Sequence, residues 1–316
     1  MAAARNKYLA RKRFHAAGLL VPAYFRVSAS ADPSAVARQS SYPCVLKPLG
    51  LSGSRGVIRA DTETGFIAAF ERIRAILAQP EIRRERDPAN DFIHVESYIP
   101  GRELALEGIV TAGRLRMLAL FDKPDPLDGP FFEETIYVTP SREPPCSQRE
   151  ILDTVRRAVE ALGFRHGPVH AEIRVNSQGV WILEAAGRPI GGLCAQALRF
   201  EHDRGLEELI LRHSLGEDIE PLRPARPASG VMMIPIPQPG VYHAARGEDR
   251  AAAIAGIDEV VITAKLGQKL VPLPEGQSYL GFIFASGHTP ADVEASLRAA
   301  HAELEFDLAG VLPVIR

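Results

Sequence analysis

The run VHAEIRVNSQGVWILEAAGRPIGG, residues 169–192, constrains this chain more than any other stretch. Val169–Val175 reads as a strand, Ser177-Gln178-Gly179 as a turn, and Val180–Glu184 as the return strand. A three-residue hairpin loop with glycine at its left-handed position is a common connection. In that register residue 176 faces residue 180, so Glu172 faces Glu184, and directly opposed residues have Cβ atoms about 4.5–5.5 Å apart. Two carboxylates so placed repel, and burying either alone is costly. A hard cation between them reverses the sign, because Mg²⁺ takes oxygen ligands and bridges carboxylates to substrate phosphates. The plain alternative is an exposed hairpin face bearing two ordinary glutamates. The residues just downstream favour the metal: Arg188 and then Gly191-Gly192 form a basic, flexible run in which arginine can grip a second anion, a carboxylate or an acyl phosphate, in bidentate fashion.

The whole chain limits what such a hairpin can serve. Its 316 residues are 46% hydrophobic and 24% charged with a net charge of −2, an ordinary globular composition long enough for about two lobes. Near-neutral charge argues against binding nucleic acid by broad phosphate neutralisation. Cys44, Cys146 and Cys194 are few, odd in number and widely spaced, which fits a reducing compartment and neither a disulfide framework nor a zinc ribbon. No apolar run approaches the roughly 20 residues of a membrane span. The start, MAAARNKYLARKR, has basic residues without an apolar core behind them, unlike a secretory signal. The expectation is a cytoplasmic protein with neither nucleic acid nor membrane as partner.

Other chemistry lies upstream. Asn6–Ala17 reads as a helix stopped by Gly18, with Leu9, Phe14 and Ala17 as its apolar side; Lys7 on sequence alone is a solvated helix lysine. Tyr42–Lys47 is a strand, and Lys47 feeds the loop GLSGSRGV, residues 50–57, whose backbone N–H groups can approach a phosphate closely. It is not a Walker A loop, since no Gly-Lys-Ser/Thr follows the glycines. Phe92–Glu96 is a strand entering SYIPGRE, and Leu104–Val110 with Leu115–Phe121 reads as a hairpin. Residues 81–90 read as a loop. Ser147–Glu150 is a capping box opening a helix whose apolar stripe is core. Helical stretches are expected around 192–200 and 205–213, Ile219–Ser229 reads as a proline-rich linker, and no chemistry is legible after about residue 200.

This order of motifs resembles the ATP-grasp superfamily, most closely its carboxylate–amine and amino-acid ligase branch. The resemblance runs from Asn6 to about Phe200 and rests on YPCVLKPLGLSGSRGV, HVESYIPGRE and HAEIRVNSQGVWILEAAGRPIGG, with a weaker echo in the tail YLGFIFASGHTP. It implies an α+β fold: a lead-in at 1–28, a small lid subdomain at 29–95, a large subdomain with the metal site at 96–218, and a mixed C-terminal lobe at 219–316. ATP and Mg²⁺ (or Mn²⁺) are the implied cofactors. By the resemblance Lys7 and Lys47 contact the ATP phosphates, Gly53, Ser54 and Gly56 belong to the lid loop, and Glu96 with the Ser97–Ile99 backbone meets the adenine edge. Glu103 meets the ribose, Glu172 and Glu184 hold the metal, and Arg188 steadies an acyl phosphate. Lys123, His170 and Glu133 or Glu134 are candidates for the substrate side.

The implied activity is ligation of a small carboxylate to an amine through an acyl phosphate. An ATP-binding subunit or pseudo-enzyme needing a separate N-terminal lobe, and an ATP-dependent carboxylase, are the alternatives. Two departures from the family pattern stand out. Ala186 occupies a place where many members carry a metal-binding asparagine, and family members usually have a whole α/β domain ahead of the first helix.

Overall fold

The computed structural model describes residues 2–219 and 222–310. Its strands pair antiparallel and gather chiefly into two sheets. The smaller sheet has the order Tyr24–Ser28, Phe92–Ser97, Cys44–Pro48, Ile58–Ala60. Helix Glu63–Leu77 packs on it; the Thr62 side chain caps it by accepting from the Gly65 N–H, satisfying one orphan donor of the first turn. Phe66, Phe70, Ile73, Ile76 and Leu77 are fully buried against Leu46 and Val95, each contributing about 1.5–3 kcal/mol by leaving water.

The larger sheet has eight strands, in the order Ile257–Ile262, Gly281–Gly287, Ala228–Ile234, Ile136–Thr139, Arg114–Asp122, Arg102–Thr111, Gly167–Asn176, Gly179–Ala186. Side chains of a strand alternate between faces, and here each face meets a different core. Leu104 and Leu106 pack with helix Pro145–Leu162 through Ile151, Val155, Ala158 and Val159. Ala105 and Ile109 join Phe121, Tyr137, Met233 and Phe282 on the other side.

The boundaries expected at 28/29 and 218/219 do not follow these sheets. Tyr24–Ser28 pairs with Phe92–Ser97, and Ala228–Ile234 pairs with Ile136–Thr139, because the backbone groups of a strand take hydrogen-bonded neighbours wherever the chain supplies them. Among the described residues, Lys269–Leu270, Gly240–Arg246 and Glu305–Ala309 form a sheet of their own in the C-terminal part. Part of the expected linker, residues 220–221, lies outside the described residues, and the strand after it already begins at Ala228.

Local expectations are corrected in five places. The helix expected to open at Ser147 opens at Pro145, whose fixed φ suits the first helical turn, and the capping box does not form. Ser147 Oγ instead donates to Glu143 at 2.8 Å. In the first long helix, Lys7–Ala16, the buried residues are Ala10, Arg11 and Phe14, whereas Leu9 is exposed. The run 81–90 contains a short helix, Pro80–Arg84, and a 3-10 turn, Pro88–Asp91; around 192–200 a 3-10 turn, Cys194–Ala197, and a short strand, Arg199–Phe200, form in place of a helix. The hairpin register differs as well. Asn176 pairs with Gly179 across a two-residue loop, and a bulge at Leu183 then restores the pairing of Glu172 with Glu184. Among the described residues no helix is long and apolar enough to cross a membrane.

Candidate active site

A cavity of about 850 Å³ lies between the two sheets and the C-terminal strands. Lys7, Lys47, Gly53, Ser54, Glu96, Ser97, Ile99, Glu103, Glu172, Glu184 and Arg188 all line it. Of the residues expected at the nucleotide, only Gly56 does not. It sits behind the lid loop at φ +73°, where a Cβ would come within 2.8 Å of Pro48 Cγ, and its N–H donates to Pro274 O at 2.8 Å. Glycine is therefore required for both space and backbone shape.

At one end of the cavity, charge is organised by Glu96. Its carboxylate receives Lys47 Nζ, Arg11 Nε at 3.0 Å and His94 Nε2 at 3.2 Å. Burial alone would raise the Glu96 carboxyl, but Arg11 and Lys47 outweigh it and hold it well below the usual carboxylate range. Arg11, Lys47 and His94 thus engage the Glu96 side chain, which also lines the cavity where an adenine contact is expected of it. Arg11 lies one helical turn from Lys7, and its guanidinium donates to the carbonyl of the bulged residue, Leu183, at 2.5 Å. Lys7 Nζ donates to Leu51 O at 2.6 Å. Burial lowers its pKa, opposed by Glu184 and reinforced by Lys47.

The chain segment after Glu96 is held from behind. Ser97 and Tyr98 donate their N–H groups to Ala23 O at 2.9 Å and Pro43 O at 3.0 Å. Buried Arg174 donates to Ile99 O at 2.7 Å, to Leu127 O and to Glu103 Oε2 at 2.8 Å.

At the other end, carboxylate oxygens of Glu103, Glu134 and Glu172 lie within 4.8 Å of one another. Lys123, just beneath the wall, donates to Glu103 at 2.8 Å and to Glu134, and stands 3.5 Å from Glu172. Burial would lower the lysine, but Glu103, Glu134 and Glu172 raise it well above its ordinary value. Burial pushes the Glu134 carboxyl up, against the pull of Lys123. Glu172 is held well below the usual range, because Lys123 and His170 outweigh its burial. His170 Nε2 is 3.5 Å from Glu172 and its Nδ1 meets Glu107. Burial would lower the imidazole, yet Glu107 and Glu172 raise it to about 10. Burial also raises Glu133, which does not line the cavity.

Glu172 and Glu184 face each other across the hairpin and both line the cavity. The links of Glu172 to Lys123 and His170 are long, although it also shares a hydrogen bond with Glu134, and Glu184 makes no hydrogen bond or ion pair among the described residues; both line the cavity. A donor set of carboxylate oxygens alone fits Mg²⁺ or Mn²⁺. Arg188 is exposed and, among the described residues, donates only to its neighbour's carbonyl, Pro189 O, at 2.8 Å, leaving its guanidinium for an anion.

The far wall overturns one expectation, that chemistry ends near residue 200. Met233, Thr263, Gln268, Gln277, Ser278, Tyr279 and Phe282 line the same cavity. No motif marks them; pairing of Ala228–Ile234 and Gly281–Gly287 into the large sheet brings them there. Arg11 likewise carries no motif, although its spacing from Lys7 puts both on one helix face.

The ATP-grasp domain family matches residues 40–197, half of the chain, and L-amino acid ligase C-terminal domain 2 matches residues 232–309. Among solved structures, the L-amino acid ligase from Bacillus licheniformis is 27% identical, with a TM-score of 0.82 covering 98% of this chain and 74% of that one. Protein y4rH of Sinorhizobium fredii is 26% identical over 315 residues, 96% of this chain and 61% of the relative. The D-alanine–D-alanine ligase of Aromatoleum aromaticum is 25% identical over 191 residues, 60% of this chain and 57% of the relative. This chain spans less than two thirds of the length of both curated relatives. With a matching family over half its length and the expected residues gathered in one cleft, the chain belongs to the ATP-grasp family.

Proposed function

We propose that the chain is an ATP-dependent ligase that activates the carboxylate of an amino acid or similar small acid and joins it to an amine. The observation that carries this reading is the meeting, in one cavity, of Lys7, Lys47 and Arg188 with the opposed carboxylates Glu172 and Glu184. Carboxylate activation gathers anions at one point, and fixed cations aimed at that point stabilise the charge that develops there. The match to an L-amino acid ligase C-terminal domain and the likeness to an L-amino acid ligase favour an amine acceptor over the bicarbonate chemistry of a carboxylase.

Lys7 and Lys47 hold the phosphates, and Gly53 and Ser54 cover them. Main chain at Ser97–Ile99 meets the adenine, and Glu103, braced by Arg174, lies on the ribose side. Glu172 and Glu184 would hold Mg²⁺, which when bound neutralises charge between the phosphate oxygens. Lys123 and His170 keep Glu172 ionised for that task. One oxygen of the substrate carboxylate bonds to the γ-phosphorus as its bond to the bridging oxygen breaks, giving ADP and an acyl phosphate. The amine then attacks the acyl carbon, phosphate leaves with that oxygen, and the amine gives up a proton. Arg188 binds the acyl phosphate oxygens, and the lid excludes the water that would hydrolyse it. Glu134, at the acidic end beside Tyr279, holds a substrate amino group. A reducing, cytoplasmic setting is supported by the unpaired cysteines Cys44, Cys146 and Cys194.

A phosphate-release screen of amino acids and small carboxylates, singly and in pairs, with ATP and Mg²⁺, tests the reading. Release that needs a carboxylate together with an amine supports it. Release stimulated by bicarbonate and by no amine would replace it with the carboxylase reading.

A further inference from the structure

Resting on the ligase reading, we propose that Glu107 is a positioning residue that sets the Arg188 loop in register with Glu172. Glu107 lies mid-strand in Arg102–Thr111, is 1% exposed and does not line the cavity, so it has no route to substrate. A buried carboxylate is costly unless each oxygen is bonded, and here both are. One meets His170 Nδ1, and the other accepts the Ile190 N–H at 3.1 Å. His170 turns its second nitrogen toward Glu172, 3.5 Å away. A bulge between Glu107 and Gly108 aims the carboxylate, and Gly108 is needed there because a Cβ would come within 2.7 Å of Arg116 O.

The consequence is a bonded path from Glu172 through His170 and Glu107 to Ile190, two residues beyond Arg188. The loop 187–192 contains three glycines and lies outside the strand that precedes it, so its backbone shape is weakly determined by its own sequence. A bond from Glu107 to its main chain places the arginine that meets one side of the transferred phosphoryl group in the same frame as the carboxylate that serves the other. Such geometry is worth much in rate, since a misplacement of about 1 Å can cost about a hundredfold.

The test compares parent, Glu107→Gln, which keeps shape and loses charge, and Glu107→Met, which removes both acceptors. Amide hydrogen exchange at Ile190 is read first, with strand Arg114–Asp122 as the internal control for folding. Exchange at Ile190 is expected to rise severalfold in Glu107→Gln and about tenfold or more in Glu107→Met, with the control strand unchanged, because a charge-assisted bond is about twice as strong as a neutral one. Should Glu107→Met fail to fold, Glu107→Gln decides. Unchanged exchange at Ile190 in a folded variant overturns the proposal. ADP formation with ATP, Mg²⁺ and an equimolar mixture of the common amino acids is read second. Both variants are expected to lose kcat about tenfold or more while KM for ATP stays within about twofold, and to add less than about twofold loss in an Arg188→Ala background, since residues acting as one unit are not additive. Equal losses in the two backgrounds overturn it. A parent that forms no ADP with the mixture counts against the ligase reading alone, because the exchange comparison needs no turnover.

Discussion

Arg11 and Glu96 are 1% and 4% exposed, so neither charge has water to fall back on and each depends on the other. Breaking a buried pair by removing one partner typically costs about 3–5 kcal/mol, and Glu96→Gln is expected to lose that much stability near neutral pH. The carboxyl is depressed in the folded chain relative to about 4.3 in an unfolded one. Its stabilisation is therefore complete above the unfolded value and is lost as pH falls through the folded one. Denaturant unfolding of parent and variant should give a constant difference from pH 8 to about 5.5, shrinking below about pH 4.5; a difference as large at pH 3 as at pH 7 would contradict the pairing. Lys47 shares the same carboxylate and points into the cavity, so Lys47→Ala should weaken Mg²⁺-ATP binding in calorimetry about tenfold or more, the worth of a hydrogen bond to a charged group. Parental affinity would remove Lys47 from the phosphate site. At this scale the sequence shows Lys47, because a strand-ending lysine before a glycine loop has a local signature, whereas Lys7 reads as one more solvated lysine until the fold brings it to the cavity. The sequence also hides Arg11, which looks like one more basic residue on a basic helix until tertiary contacts bury it.

In the hairpin Gly167–Ala186 it is the pairing that brings Glu172 opposite Glu184. Glu184 has no partner among the described residues and is close enough to Lys7 to affect its pKa, so Glu184→Gln should change the stability of the ligand-free protein by about 0.5 kcal/mol or less. The same change should abolish the thermal shift given by Mg²⁺ with ATP, which for ligand at a hundred times Kd is worth about 2.7 kcal/mol. Glu172→Gln should do the same to the shift, and retention of the parental shift in both would sink the shared metal site. The facing of Glu172 and Glu184 is legible from strand alternation, but for a partly wrong reason. The sequence points to a three-residue loop, whereas a two-residue loop and a bulge at Leu183 together produce the same offset. Bulges respond to what the neighbouring element needs, here a carbonyl for Arg11, and that need is not local to the strand.

The cleft as a whole is assembled by pairings between distant segments. The lid is tied to the C-terminal part by Gly56 N–H to Pro274 O at 2.8 Å, by Arg55 Nε to Glu275 O at 2.9 Å, and by the Arg72–Glu275 ion pair. The residues beside those ties, Gln277 to Tyr279, line the cavity, so one loop touches both the glycine loop's end and the cleft wall. None of this is legible in the sequence, since Pro274 and Gln277 belong to no motif and reach the site only through the eight-stranded sheet. The general architecture is legible because glycine loop, strand-ending acid and hairpin carboxylates occur in a distinctive order along the chain. The ligation proposed above unites the three scales, since it requires transfer of a carboxylate oxygen to phosphate inside this cleft. The direct measurement uses a substrate amino acid labelled with ¹⁸O in its carboxylate, ATP, Mg²⁺ and an amine, with mass analysis of the released phosphate. Ligation through an acyl phosphate predicts one ¹⁸O in each phosphate formed, in step with amide product; unlabelled phosphate accompanying the product would contradict it.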